Sequence, residues 1–511
     1  MSGLTMVDAL NRALGEAMEA DDRVVVLGED VAQTGGVFRV TSGLLERFGE
    51  DRVVDTPLAE AGIVGSAIGM AMSGLLPIVE IQFDVFVYPG FEQIVVHAAR
   101  LAWRTKGEVP ASLVIRIPYG GGVRAPELHS DSPEGLFTHV PGLKVVCPTT
   151  PTDARTMMLA AIQDPDPVIF MEPKRIYRAG REEIPDSPPF PITGGNGVYN
   201  EHLTKARVAR DGSDLAIITY GATVPLSMEA AARLEQDRGI SARVIDLRSL
   251  YPLDVDAIVK AASECGRALV VHAARLAWRT KGEVPASLVI RIPYGGGVRA
   301  PELHSDSPEG LFTHVPGLKV VCPTTPTDAR TMMLAAIQDP DPVIFMEPKR
   351  IYRAGREEIP DSPPFPITGG NGVYNEHLTK ARVARDGSDL AIVTYGATVP
   401  LSLEAAARLE QDRGVSARVV DLRSLYPLDV DAIVKAASEC GRALVVHEAP
   451  RMNGIGAEVS SLIHERAMLD LEAPVGRVTG YDVPFPQFAN EDDYLPSVDR
   501  IVHGANKVLD F

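Results

Sequence analysis

The sequence predicts an α/β protein whose mainly parallel sheets are covered by helices, with a larger first domain and a smaller second one. Three observations predict it. Short β-branched runs alternate with amphipathic helical stretches, a Pro/Gly-rich polar stretch at Arg181–His202 interrupts that alternation, and the 511-residue chain carries one long segment twice. Residues His97–Val271 recur as His272–Val446, an offset of 175, with four differences: Ile218/Val393, Met228/Leu403, Ile240/Val415 and Ile245/Val420. Solenoids use diverged units of roughly 20 to 50 residues in several copies. This is one long, nearly identical unit. The tripeptide "VVH" stands at Val95–His97, Val270–His272 and Val445–His447, so the middle occurrence marks the seam. Removing one unit leaves 511 − 175 = 336 residues, enough for two domains at roughly 150 residues each.

Taken in chain order, "MSGLTMVDALNRALGEAMEADDR" has early acidic residues and no apolar signal core, and it predicts a helix. Strands are predicted in "RVVVLGED", "LLPIVEIQF", "ASLVIRIPYG", "LKVVCP" and "DPVIFMEP", with a helix in "TDARTMMLAAIQ". The uncharged run Ala61–Val79 is interrupted by glycines and a proline, and it predicts a buried helix and strand, not a membrane span. Beyond the linker, "DLAIITYG", "ARVIDLRSL" and "ALVVH" predict strands, and "SMEAAARLEQDRG" a helix stopped by Gly239. After the first "ALVVH" the chain returns to first-domain sequence. After the second, it continues through "EAPRMNGIGAEVSSLIHERA". The expected organisation is therefore a first domain over 1–185, a surplus block over 186–360 holding partial copies of both domains, and a linker and second domain over 361–511.

Lysine and arginine number 50 against 68 acidic residues, a net charge of −18 that argues against a nucleic-acid partner. The four cysteines are two positions and their echoes, Cys147/Cys322 and Cys265/Cys440, with no C-x-x-C pair, which points to a reducing cytoplasm.

Chemistry concentrates in "DTPLAEAGIVGSAIGMAMSG", Asp55–Gly74. Pro57 suits a first helical turn and places Glu60 near the helix start, followed by apolar residues. Gly62, Gly65 and Gly69 recur at helical spacing and predict tight helix packing. This segment, with "LGEDV", "GGVFRVTSGL", "EIQF", "LHSDSPEGLF", "PGLKVVCP", "EPKRIYR", "VIDLRSLYPLDVDAI", "VVHEAP" and "GYDVPFP", resembles the beta subunit of the thiamin-diphosphate-dependent decarboxylating component of 2-oxo acid dehydrogenase complexes. The likeness covers all 336 unique residues and implies a pyrimidine-binding transketolase-like domain followed by a transketolase-like C-terminal domain. "EIQFDVFVYP" and "EPKRIYR" are closer to branched-chain than to pyruvate members.

The resemblance implies that Glu60 meets the aminopyrimidine ring of thiamin diphosphate, where a hydrogen bond to the ring nitrogen favours the imino tautomer. Apolar neighbours such as Ile63 oppose its ionisation, and the helix start favours it. Leu58, Gln82 and Phe86 fall on cofactor-binding positions, with Phe86 against the pyrimidine, and His129 on the histidine that handles substrate and acyl-transfer protons. A structural potassium site of main-chain oxygens falls on Leu113, Ala161, Ile162, Asp164 and Asp166, where Asp166 departs from the expected amide. The Gly-Asp-Gly and Asn-Asn segments that hold magnesium and diphosphate do not occur. An alpha subunit would supply them in a two-alpha, two-beta assembly docked on a lipoyl acyltransferase core, acting on a small 2-oxo acid. Other readings are a pyruvate or acetoin dehydrogenase beta subunit, an inactive assembly or regulatory subunit, and a stand-alone transketolase-like enzyme, which the missing diphosphate motif opposes. His304, the echo of His129, has no Glu60 counterpart.

Overall fold

The computed structural model describes residues 3–122, 129–187, 189–191, 200–271, 288–297, 299, 305–315, 317–359, 376–486 and 488–511. His304 lies outside them. The chain divides into two compact units, Met1–Arg275 and Leu276–Phe511, and their boundary falls inside the 186–360 block.

The first unit holds two sheets. The larger contains β1 (Val24–Gly28), β2 (Val53–Asp55), β3 (Leu76–Glu80), β4 (Val114–Tyr119), β5 (Lys144–Val146), β6 (Val168–Pro173) and β10 (Ser249–Tyr251), in the order β10-β5-β6-β4-β3-β1-β2. The smaller contains β7 (Arg207–Arg210), β8 (Leu215–Thr219), β9 (Ala242–Asp246) and β11 (Ala268–Val270), in the order β11-β8-β9-β7. Only β10 and β7 run antiparallel to their neighbours. All six residues of β4 are buried, as expected where helices cover both faces of a parallel sheet. The helix Met6–Ala20 starts on a capping box between Thr5 and Asp8. It buries Met6, Leu10, Ala13, Leu14 and Ala17 in one core with Met158 and Leu159 of the helix Pro151–Ile162. Each fully buried leucine or methionine there contributes roughly 1.5–3 kcal/mol.

One expectation is corrected. "ARVIDLRSL" is not one strand: the chain breaks at Arg248, whose φ is +55°, and β10 leaves the smaller sheet to pair with β5 of the larger. The break fuses the two domains. Cys147 N donates to Arg248 O at 2.7 Å, Arg248 meets Asp153 at 3.1 Å, and the Tyr220 hydroxyl donates to Glu134 at 2.8 Å. The linker stretch also ends in a short helix, Asn200–Thr204. All four cysteines are free and buried, and no helix among the described residues is long and apolar enough to cross a membrane.

The second unit repeats part of this plan. One sheet contains β12 (Val289–Tyr294), β13 (Lys319–Val321), β14 (Val343–Pro348) and β18 (Ser424–Tyr426), in the order β12-β14-β13-β18. The other contains β15 (Arg382–Arg385), β16 (Leu390–Thr394), β17 (Ala417–Asp421), β19 (Ala443–Val446) and β20 (Gly476–Val478), in the order β15-β17-β16-β19-β20. The interdomain contacts recur, with Arg423 on Asp328 at 3.1 Å and Tyr395 on Glu309 at 2.7 Å. Two strands differ. β12 has the letters of β4 but lies at a sheet edge with only Tyr294 buried, because nothing equivalent to β1–β3 precedes it. β19 is fully buried where its twin β11 is exposed, because only the second copy continues into β20 and the helices Ile455–Ala467 and Val498–Leu509.

That continuation also brings in Glu448, which has no counterpart in the first unit. Burial, with Glu309 beside it, pushes its carboxyl up to about 8, against the pull of Arg350 and Lys349. Burial pushes Glu309 up to about 7. A carboxyl raised from an unfolded value of about 4.3 adds stability that is complete below that value and lost as pH rises through the folded value. Glu448→Gln should therefore leave unfolding of the second unit nearly unchanged at pH 4 and stabilise it by roughly a few kcal/mol near pH 9, the gain growing steadily between the two. Urea titrations at the two pH values check this, and equal effects at both would contradict it.

Candidate functional site

The described catalytic and cofactor-binding candidates gather at the carboxyl ends of the parallel strands in the first unit, the usual location of ligand sites in open α/β sheets. β1 ends at Gly28 and delivers Glu29, β3 ends at Glu80 and delivers Gln82 through Phe86, and β4 ends at Tyr119, ahead of the stretch that leads to His129.

Glu60 is the first residue of the helix Glu60–Met72, and its side chain is buried. Pro57 lies outside the helix, Ala59 holds the cap position, and no side chain caps the first turn. The 3-10 turn Asp84–Gly90 packs against this start. A Cβ built on Gly90 would lie 3.1 Å from the Glu60 carbonyl oxygen, so a side chain there would push the turn away from the helix. The prediction that Gly62, Gly65 and Gly69 are packed tightly is not met within the chain. Gly62 and Gly69 are exposed, and among the described residues no backbone outside the helix comes within 4 Å of a Cβ built on any of the three.

Phe83, Phe86 and His129 form an aromatic group. Phe83 and His129 have centroids 4.3 Å apart, Phe86 and His129 5.3 Å, and Phe83 and Phe86 5.8 Å, all edge to face. Beneath it, the buried Lys174 ammonium lies 2.8 Å from Asp84 and 5.5 Å from the Phe83 centroid. It also donates to Pro118 O at 3.1 Å. Burial lowers the Lys174 pKa and raises that of Asp84, and each opposes the shift of the other. Gln82 donates to Asp30 at 2.9 Å. Leu58 is 77% exposed, ahead of the Glu60 helix.

Sequence reasoning missed Glu29, Phe83 and the Asp84–Lys174 pair. Glu29 is buried, and its Oε1 has no hydrogen-bond partner among the described residues. Burial, with the charges of Glu60 and Asp30, raises its pKa. The available signal was position, since Glu29 directly follows a strand of five buried residues.

The residues assigned to potassium lie elsewhere and are already engaged. Lys144 Nζ is 2.6 Å from Asp164 and 2.9 Å from Asp166, Leu113 O accepts from Val168 N at 3.0 Å, and Ala161 O accepts from Asp164 N at 3.2 Å. Ile162 is buried at its helix end. Asp164 and Asp166 thus form a lysine-centred ion cluster beside these main-chain oxygens.

The Asp84–Lys174 pair gives a direct test of what supports the aromatic group. Lys174→Met strands a buried carboxylate and should cost roughly 3 kcal/mol. Adding Asp84→Asn should recover most of that loss, as measured by chemical denaturation.

Residues 2–180 and 265–355 match the family described as "Transketolase, pyrimidine binding domain", and residues 204–289 and 379–501 match "Transketolase, C-terminal domain". A "Pyruvate dehydrogenase E1 component subunit beta" of Acholeplasma laidlawii is 48% identical over 271 residues, spanning 53% of this chain and 80% of the relative. A "2-oxoisovalerate dehydrogenase subunit beta" of Bacillus subtilis is 49% identical over 271 residues, with the same two spans of 53% and 80%. A solved transketolase variant from Pichia stipitis shares 15% identity at a TM-score of 0.40, covering 53% of this chain and 39% of that one.

Proposed function

Because the chain belongs to the family of E1-component beta subunits of 2-oxo acid dehydrogenases, we propose that its first unit supplies the pyrimidine-binding half of a thiamin diphosphate site. The observation that carries this is the buried Glu60 at an uncapped helix start, packed against the turn Asp84–Gly90 that carries Phe86, with Glu29, whose Oε1 has no hydrogen-bond partner among the described residues, near enough for the two charges to interact. A flat ring with polar edges fits such surroundings. Bound thiamin diphosphate supplies an electron sink for decarboxylation of a 2-oxo acid.

This chain's own residues then have separate tasks. Glu60 holds a proton against the pyrimidine ring nitrogen, Phe86 walls the ring and keeps out water, and Gln82 and Leu58 border the cofactor. His129 moves protons at the substrate and at the acyl group passed to a lipoyl carrier. Phe83 and the Asp84–Lys174 pair position His129. Neither diphosphate-holding motif occurs in the chain, so an alpha subunit brings the magnesium and the diphosphate contacts, in a two-alpha, two-beta assembly. The exposed Leu58 and the exposed glycines beside Glu60 support closure of this side by another subunit. The C-terminal domain, completed only over 361–511, is the part that docks on the acyltransferase core. No step depends on potassium.

The motifs "EIQFDVFVYP" and "EPKRIYR" favour a branched-chain substrate. Pyruvate is the second reading, because the pyruvate-named relative is nearly as similar as the 2-oxoisovalerate-named one.

Reconstitution with an alpha subunit tests the whole reading. Decarboxylation should appear with one thiamin diphosphate bound per beta chain and should fall at least about 100-fold in Glu60→Gln or His129→Ala. It should be largely kept in His304→Ala. Two cofactor equivalents per chain, or inactivation by His304→Ala instead, would overturn the site assignment. A kcat/KM favouring pyruvate over 2-oxoisovalerate would move the substrate.

A further inference from the structure

In the first unit, the helix Met6–Ala20 covers the helix Pro151–Ile162. The second unit repeats the Pro151–Ile162 side of that surface in the helix Pro326–Gln338, but not the side formed by Val24, Val40, Leu44 and Val53. No counterpart of Met6–Ala20 exists there, because the repeat begins at His97. What remains is an open groove of about 670 Å³ lined by Ala329, Arg330, Met333, Leu334, Phe345 and Tyr352, among others. Tyr177 is 2% exposed and its echo Tyr352 is 55% exposed, while Ile162 at 4% becomes Ile337 at 58%.

We propose that this groove docks the helix Met6–Ala20 of a second copy of this chain. The occupant follows from the letters, since the groove repeats the Pro151–Ile162 side of the seat that helix already occupies. Charge complementarity comes with it. Arg155 grips Glu16 through two hydrogen bonds of 2.9 and 2.7 Å, and the corresponding arginine, Arg330, lines the groove. The strap that secures the helix's N-terminal end is also duplicated. Leu4 and Glu182 exchange backbone hydrogen bonds of 2.8 and 3.0 Å, with Glu182 held by Thr152 N at 2.9 Å. Its echo Glu357 is held by Thr327 N at the same 2.9 Å.

Exchange requires little rearrangement of the donor. The helix ends at Ala20 and β1 begins at Val24, so the connection between them is the hinge. On exchange the helix keeps the contacts of the repeated side and gives up those to Val24, Val40, Leu44 and Val53, so the swapped form is expected only at high chain concentration. The mode is an amphipathic helix in an apolar groove, with Met6, Leu10 and Leu14 as anchors.

The test uses the full-length chain and a labelled peptide spanning residues 3–20. The peptide should bind saturably at one site per chain, and the unlabelled chain should self-associate in a concentration-dependent way that excess peptide reverses. Met333→Asp places a charge on a surface that is already partly open, so the variant should fold, and it should abolish both effects. Arg330→Glu should weaken peptide binding about tenfold, and a peptide carrying Glu16→Arg should restore it. Absence of saturable binding, or binding unaffected by Met333→Asp, would overturn the groove. Peptide binding by a chain whose self-association neither the peptide nor Met333→Asp alters would overturn the second copy as its occupant.

Discussion

The arrangement around the site rests on Arg116. This guanidinium is fully buried on the central strand β4, between the Glu172 carboxylate on β6, at 2.7 and 2.9 Å, and the Glu80 carboxylate on β3. The Tyr177 hydroxyl donates to Glu172 from the far side. Such a charge is tolerated inside a sheet only when every partner is in place, so the clamp ties three neighbouring strands into one register. Glu80 is the last residue of β3, and the segment from Gln82 to Phe86 begins two residues later. The clamp that closes the sheet thus also sets where the aromatic group starts.

The second unit shows what happens when one partner is missing. Arg291 has the same neighbours in sequence and still pairs with Glu347, but without an equivalent of Glu80 its side chain is 65% exposed. The strand that carries it has become an edge. Identical letters therefore give a buried ionic clamp in one setting and a surface ion pair in the other, and the difference comes from residues far away in the chain. Burial of β19 against exposure of β11 makes the same point in the opposite direction.

Five strands of the larger sheet, β1 and β3 to β6, the N-terminal helix and the position of Glu60 at a helix start were readable from local patterns, because each depends on residue types within a short window; the three-residue β2 was too short to show one. The break at Arg248 was not. It depends on the neighbouring domain offering β5 as a partner, which no local window records. The exposure of Gly62 and Gly69 was missed for a related reason, since glycine spacing signals a close neighbour without saying whether that neighbour belongs to the same chain. Phe83 and Lys174 are far apart in sequence and become significant only where two strand ends converge. Glu29 was within reach, as a carboxylate directly after a buried strand.

The unequal burial of the two copies bears on how the repeat will age. A substitution at Arg116 disturbs a buried network, whereas the matching change at Arg291 alters a side chain already in water. Natural selection acting on folding can see the first and hardly the second. Mutations should therefore accumulate sooner along the 289–294 strand than along 114–119, although the two started with the same letters. In the C-terminal domain the bias reverses, because the better-buried copy is the later one. The four existing differences all exchange one aliphatic or thioether side chain for another, and all fall in that domain. Homologous chains carrying the same repeat, ordered by age, would show two lineages of one sequence drifting at different rates within a single polypeptide.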